Sequence, residues 1–265
     1  MATPHYSTSI ADRAAGVLWG LAAGDRNGGP LAMACVLVEG VLARGRFDVR
    51  AIRKGYQRWY EAEGFDTGPV AATVFELRRG GFSSSAAVAR AHELHDGKTA
   101  GCNPAHRFGP VAACSLDDDA LLSAARVEAA LTHRDRLAGE VSAATAGLAR
   151  ALLRGLSWDD ARRRVAARVG AEVASLFDES EPKLSGYAPD VLATACHFLS
   201  RGTCARSALE AALQHGGPAN YAPVLVGLLA GARWGANALG AVRVHARTKP
   251  EQVSLLAERL ARCWT

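Results

Sequence analysis

Apolar residues recur every three or four positions along almost the whole chain, and alternating β-branched runs are scarce, so the sequence predicts helices throughout. Asp12 precedes an apolar-periodic stretch that reaches about Ala23, with Gly24 as its stop. Leu31 to Leu42 is apolar on nearly every side, the pattern of a central buried helix, and Gly45 closes it. Val49 to Ala62 is amphipathic. Ser83 to Ser85 can cap a helix running from Ala87 to Leu94. Asp117, Asp118 and Asp119 precede Ala120 to Leu131; three acids there suit a helix N-terminus and its dipole, with a metal triad as the alternative. Leu137 to Leu153 closes at Gly155, and Ser157 starts the next helix in a capping-box-like sequence. Pro189 to Leu199, Cys204 to Gln214 and Ala222 to Trp234 follow, and Pro250 sits in the first turn of a terminal helix through Cys263. The expected fold is an all-α, compact multi-helix bundle over residues 1–265, one domain without a dividing linker or fixed repeat.

Composition narrows the function classes. Formal net charge is +5, but the arginines are dispersed along helical faces, as in Ala161 to Arg164. A nucleic-acid footprint would gather them on one surface with interleaved aromatics, so no nucleic acid is expected as a partner. No apolar run is long enough to span a bilayer, and no basic start precedes a signal-peptide core, so no membrane is expected and a cytoplasmic location fits. The six cysteines show no CxxC spacing that would argue for zinc. Five read as small buried hydrophobes; Cys102 lies inside a motif and is either an inert thiol or a nucleophile.

The motifs come in order along the chain. Asp12 to Asp25 is a helix with a Gly-Asp ending; Trp59 is followed by Gly64-Phe65-Asp66-Thr67-Gly68; Gly101 to Pro110 carries Asn103, His106 and Arg107. Leu131-Thr132-His133-Arg134-Asp135, Ser185-Gly186-Tyr187 and Gly216-Gly217-Pro218-Ala219-Asn220-Tyr221 follow, the last opening a Gly/Ala-rich helix. Together these segments resemble the ADP-ribosylglycohydrolase family, which includes the dinitrogenase-reductase-activating glycohydrolases and the ADP-ribosyl-acceptor hydrolases. The resemblance implies an all-α bundle and a dinuclear magnesium site. In the family the Gly-Gly turn reads Gly-Gly-Asp-x-Asp-Thr, whose two Asp and Thr help hold the metals; here those positions are Pro218, Asn220 and Tyr221. The family's other ligands, in Thr-Asp-Asp-Thr, fall on Gly28, Gly29 and Pro30 once a long insertion is removed. Hard divalent cations want anionic oxygen, which none of these six residues supplies. Neither a metal nor any other cofactor is expected.

The expected ligand is a ribosyl or nucleotide-like small molecule, and the expected reaction is hydrolysis of a glycosidic bond. Asp25 and Asp66 are the candidate acid/base pair; as alternatives, Asp25 caps its turn and Asp66 is the N-cap of a helix from Val70 to Arg79. His106 takes the place of a family Met and is a third candidate catalytic group. Asn27, Gly28, Gly29, Asn103, Arg107, Asn220 and Tyr221 are the candidate binding residues, with the two glycines offering bare N–H groups and Arg107 also suited to bridging loops. His133 is assigned a structural role, bonding the backbone or an Asp. His92, His95, His197 and His245 lie outside the motif loops and are left as surface or core. A binding protein without turnover, or a structural protein like the lens crystallins the family resembles, are the rival readings. Oligomeric state is not legible.

Overall fold

The computed structural model describes residues 8–178 and 181–265. Among them the chain forms α1 (Ile10–Gly24), α2 (Gly29–Arg44), α3 (Val49–Ala62), α4 (Pro69–Arg79), α5 (Ser84–Leu94), α6 (Asn103–Phe108) and α7 (Asp118–Ala129). The second half adds α8 (Arg136–Leu153), α9 (Trp158–Ala166), α10 (Ala171–Ala174), α11 (Ala188–Arg201), α12 (Ala205–Gly216), α13 (Ala222–Trp234) and α14 (Pro250–Arg262). Among the described residues, one isolated antiparallel bridge, Gly101 to Tyr187, is the sole β pairing outside named strands. The expected all-α bundle is what forms.

The helix boundaries follow from local chemistry. Ser9, Asp48, Ser83, Asp117 and Ser157 each accept a backbone N–H at the start of their helices, covering donors that the helix itself leaves unpaired. Asp117 is therefore a cap. Its neighbour Asp118 gathers Arg150, Arg154, Arg164 and Arg168. Partial burial opposes ionisation of Asp118, but Arg164 and Arg154 hold its carboxyl below the usual range. Arg150, on the buried helix α8, donates to the carbonyls of Ala112, Leu116 and Cys114, which terminate a 3-10 turn over Gly109–Ala113.

The centre of the bundle is the antiparallel crossing of α1 and α13. Gly16, Gly20 and Gly24 recur every fourth residue on α1 and meet Gly231, Gly227 and Pro223 of α13. A Cβ on Gly20 would collide with the Gly227 carbonyl, and one on Gly231 with the Gly16 carbonyl. The two backbones therefore touch directly. The crossing sets the end of α1 beside the start of α13, and so brings Asp25 next to Asn220, 195 residues apart in sequence.

Two expectations are corrected. The segment from Asn103 to Arg107 is not a loop but the buried helix α6, started by Pro104 in its first turn; six residues are too few to show helical periodicity. Asp66 does not cap α4. Gly68, with φ +76°, is the N-cap residue there and makes no side-chain cap bond. Asp66 itself stands at φ +45°, a left-handed conformation uncommon outside glycine. Its backbone lies against Gly29, where a Cβ would stand 2.7 Å from the Asp66 Cβ.

Candidate functional site

A cavity of about 810 Å³ opens where the loops preceding six helices meet. Asn27 and Pro30 from the start of α2, Asp66 and Gly68 before α4, Asn103 and His106 of α6, and Pro218 to Tyr221 before α13 all line it. Four segments distant in sequence are thus gathered on one site. Gly97, Lys98, Ala100 to Cys102, His133, Asp135, Gly186 and Tyr187 add to the wall. The bridge between Gly101 and Tyr187 joins two of these segments, with the Cys102 N–H donating to the Gly186 carbonyl at 3.1 Å and Ala188 N–H to the Ala100 carbonyl at 2.8 Å.

The helix starts share a feature. Gly28, Gly68, Cys102, Tyr187 and Tyr221 are the N-cap residues of α2, α4, α6, α11 and α13, and none offers a side-chain cap. Each of these helices carries Pro in its first turn. Asp135, the N-cap of α8, is the exception and caps with its own carboxylate. The positive ends of the helix dipoles therefore point into the cavity with few side chains to neutralise them. Lys98 is the one Lys or Arg among the lining residues, and Asp66 and Asp135 are the carboxylates.

Asp25 is not among the residues lining this cavity. It is buried, and its carboxylate accepts from the N–H groups of Asn27 (3.1 Å), Gly28 (2.7 Å) and Leu31 (2.8 Å) and from the Asn220 amide (2.8 Å). Those bonds fasten the turn after α1 to the start of α2 and to the loop before α13. Gly28 and Gly29 also lie behind the lining; Gly28 is covered by the ring of His245, which stacks on Phe65. His245, left as surface or core by its position in sequence, thus braces the site loop.

Asp66 faces the cavity. Partial burial and the nearby Asp25 charge raise its pKa above the usual carboxylate range, while the Gly29 N–H and the Asn27 and Asn220 side chains pull the other way. Asn220 is buried, donates to Asp25, and accepts the Arg26 N–H at 3.0 Å. Tyr187 and Tyr221 are large exposed apolar side chains on the rim, and the Tyr221 ring occupies room that a side chain at Gly186 would take, 3.3 Å from where its Cβ would stand.

At the floor, His106 is 1% exposed. Neither of its ring nitrogens has a hydrogen-bond partner. Burial pushes its pKa down to about 3, so the ring is neutral near pH 7; the Tyr221 backbone opposes that shift without bonding either nitrogen. Cys102 is not a nucleophile at neutral pH, because burial pushes its thiol up to about 12.

Arg107 does not line the cavity. It lies wholly buried behind the floor, where it donates to Glu128 at 2.6 Å and to the Thr132 hydroxyl at 2.8 Å, with Tyr56 also bonding Glu128. The Thr132 hydroxyl, which accepts from Arg107, is also hydrogen-bonded to His133 Nδ1 at 2.8 Å. His133 sets its Nε2 beside Gly101 on the cavity wall. Its partner is a hydroxyl rather than the expected backbone or Asp. Burial holds this ring neutral too, well below its ordinary pKa, with Arg107 adding to the effect. His133 and Tyr187 were the site residues least visible in sequence, although both sit in motifs.

The donor set does not fit a pair of magnesium ions. Among the described residues no three His, Cys, Asp or Glu side chains group closely enough to hold a metal. Where the family places acidic ligands, Pro30 and Pro218 have no donor atom in their side chains. The Asn220 amide turns its N–H toward Asp25, and a donor cannot face a cation.

Comparison with known proteins adds two findings. A family model described as ADP-ribosylglycohydrolase matches residues 31–265. The fold is similar to a solved structure of an ADP-ribosylglycohydrolase-related protein complex, with a TM-score of 0.76 at 26% sequence identity over 97% of this chain and 99% of that one. No curated protein matches.

Proposed function

Because the chain belongs to the ADP-ribosylglycohydrolase family, we propose that it hydrolyses a glycosidic bond of a ribosyl or nucleotide-like small molecule, without a bound metal pair. The observation that supports this reading is a carboxylate of raised pKa, Asp66, set in a cavity of about 810 Å³ whose wall includes five helix starts without side-chain caps. Volumes of this order accommodate a nucleotide-sized ligand. Tyr187 and Tyr221 offer aromatic faces for a base. The helix starts offer N–H groups to ribose hydroxyls or to an anionic group.

In the proposed reaction Asp66 takes a proton from water as the water oxygen bonds to the anomeric carbon. The bond from that carbon to the leaving oxygen or nitrogen breaks, and the leaving atom recovers a proton, so one water is consumed per bond cleaved. The raised pKa of Asp66 makes it a better base than an exposed carboxylate. Asp25 is a positioning residue here, because its oxygens are already committed to four donors. His106 and His133 are neutral hydrogen-bonding groups, not proton carriers. Arg107 braces His133 from behind.

The test is a panel of nucleosides, nucleotides and ADP-ribosides, assayed chromatographically for the released sugar. Turnover by the wild type and its loss by about 10²- to 10⁴-fold in Asp66→Asn, with the helical circular dichroism unchanged, is the expected result. A second reading, binding without turnover, is favoured by one observation: the partner carboxylate, Asp25, is turned away from the cavity. Saturable binding with no product from any member of the panel selects it. No binding by any member overturns both.

A further inference from the structure

A second concavity, of about 610 Å³, adjoins the turn that follows α1. Asp25 and Arg26 belong to its wall, whereas Asn27 and Asn220 belong to the first cavity, so this turn divides the two. Three elements each bring it one arginine: Arg26 from the turn, Arg206 from α12, and Arg243 from the chain between α13 and α14. All three are exposed, and among the described residues none is ion-paired with a carboxylate. Glu210 stands four residues after Arg206 on the same helix, a spacing that favours a pair. Arg206 is turned elsewhere: its Nη2 lies 3.2 Å from where a Cβ on Gly240 would stand. Arg26 donates to the Leu213 carbonyl at 2.9 Å, which steadies its guanidinium beside α12 and leaves its other N–H groups free. Asp25 is buried with its oxygens committed to four donors, so Glu210 is the carboxylate left to oppose three guanidinium groups. Such a grouping raises the local potential and the local concentration of anions. Leu209, Leu213, Leu239, Val242 and Val244 make much of the remaining wall apolar.

We propose that this concavity is a second ligand site, for a small molecule that carries a phosphate group on an apolar body. The phosphate takes N–H donors from Arg26, Arg206 and Arg243, whose planar forks match its oxygens. The body lies on the leucine and valine side chains. A carboxylate is the poorer fit, because it offers two oxygens to donors arriving from three elements. The volume is that of a small-molecule site. The inference goes beyond the proposed hydrolysis and needs neither Asp66 nor turnover.

Titration calorimetry of the full chain with phenyl phosphate, inorganic phosphate and benzoate tests it. Phenyl phosphate is expected to bind at one site, and more tightly than either of the other two. Arg206→Gln and Arg243→Gln are each expected to weaken that binding by about tenfold or more, the loss of a charge-assisted bond. Lys98→Gln, in the first cavity, and Arg46→Gln, an exposed arginine outside both cavities, are expected to leave it unchanged. No binding of phenyl phosphate overturns the proposal. Loss in Lys98→Gln with the arginine variants unaffected also overturns it, because the phosphate then occupies the first cavity. Equal weakening by Arg46→Gln reveals diffuse attraction to a chain of net charge +5 and overturns it as well. Benzoate or inorganic phosphate binding as tightly as phenyl phosphate overturns the ligand class. None of these outcomes depends on turnover, so a failure here leaves the hydrolytic reading of the first cavity intact.

Discussion

His106 ties the cavity floor to acid stability. Its pKa falls from the ordinary value of 6.5 to about 3 on burial, so the unfolded chain binds a proton that the folded chain refuses. Stability from this group is complete above pH 6.5 and is lost as the pH falls toward 3, at about 1.4 kcal/mol per pH unit. His133 moves in the same direction. Denaturant midpoints measured between pH 7 and 5 are expected to drop steeply, and His106→Gln is expected to flatten the slope. A pH-independent midpoint contradicts the neutral, buried ring. At the neighbouring position, Thr132→Val removes the hydroxyl bonded to His133 Nδ1, and the ¹⁵N shifts of that imidazole are expected to change. In sequence the Thr-His pair was legible as a motif, but its bonding was not, because it belongs to a network in which Arg107 reaches Thr132 across 25 residues. Asp25 shows the same limit. Its place after Gly24 marked it as a site residue, yet the four donors that turn it from the cavity come from two segments, residues 27–31 and the distant Asn220.

At the level of helices, the α1–α13 crossing carries the most weight per residue. Gly20→Ala forces a methyl group onto the Gly227 carbonyl, and backbone cannot swing aside as a side chain does. A loss of about 3 kcal/mol is expected, at the upper end for overpacked sites. Gly45→Ala is the control: no atom stands within 4 Å of its added Cβ, and only its φ of +64° resists. That costs about 1 kcal/mol. Equal losses in the two variants would disprove the backbone contact. Long helices with caps were legible because caps and apolar period are local properties; α3 and α13 begin and end where the pattern places them. α6 was not, because its helicity comes from burial between neighbours rather than from its own six residues.

For the whole molecule, the cavity is an assembly of helix beginnings. Among the described residues, no helix is long and apolar enough to cross a membrane. The site's loops were legible as motifs, since each carries Gly, Asn, Asp or His where a bundle needs only a short turn. Their convergence came from the fold. If Asp66 is the base, the acid limb of the pH–rate profile lies above the usual carboxylate range, because activity requires the ionised form and burial raises its pKa. An acid limb at the position of an exposed carboxylate removes Asp66 from that role.

The direct backbone contact between α1 and α13 also bears on how such a site changes over time. Where side chains fill an interface, altering one shifts the helices and everything mounted on their ends. Here the seam at Gly16, Gly20, Gly227 and Gly231 is backbone against backbone, so the mounting points stay put whatever the loops present. Chemistry and scaffold are thereby uncoupled. A lineage can exchange acidic ligands for Pro218, Asn220 and Tyr221 and keep the opening in the same place, which makes the cavity a socket whose contacts can be rewired one residue at a time.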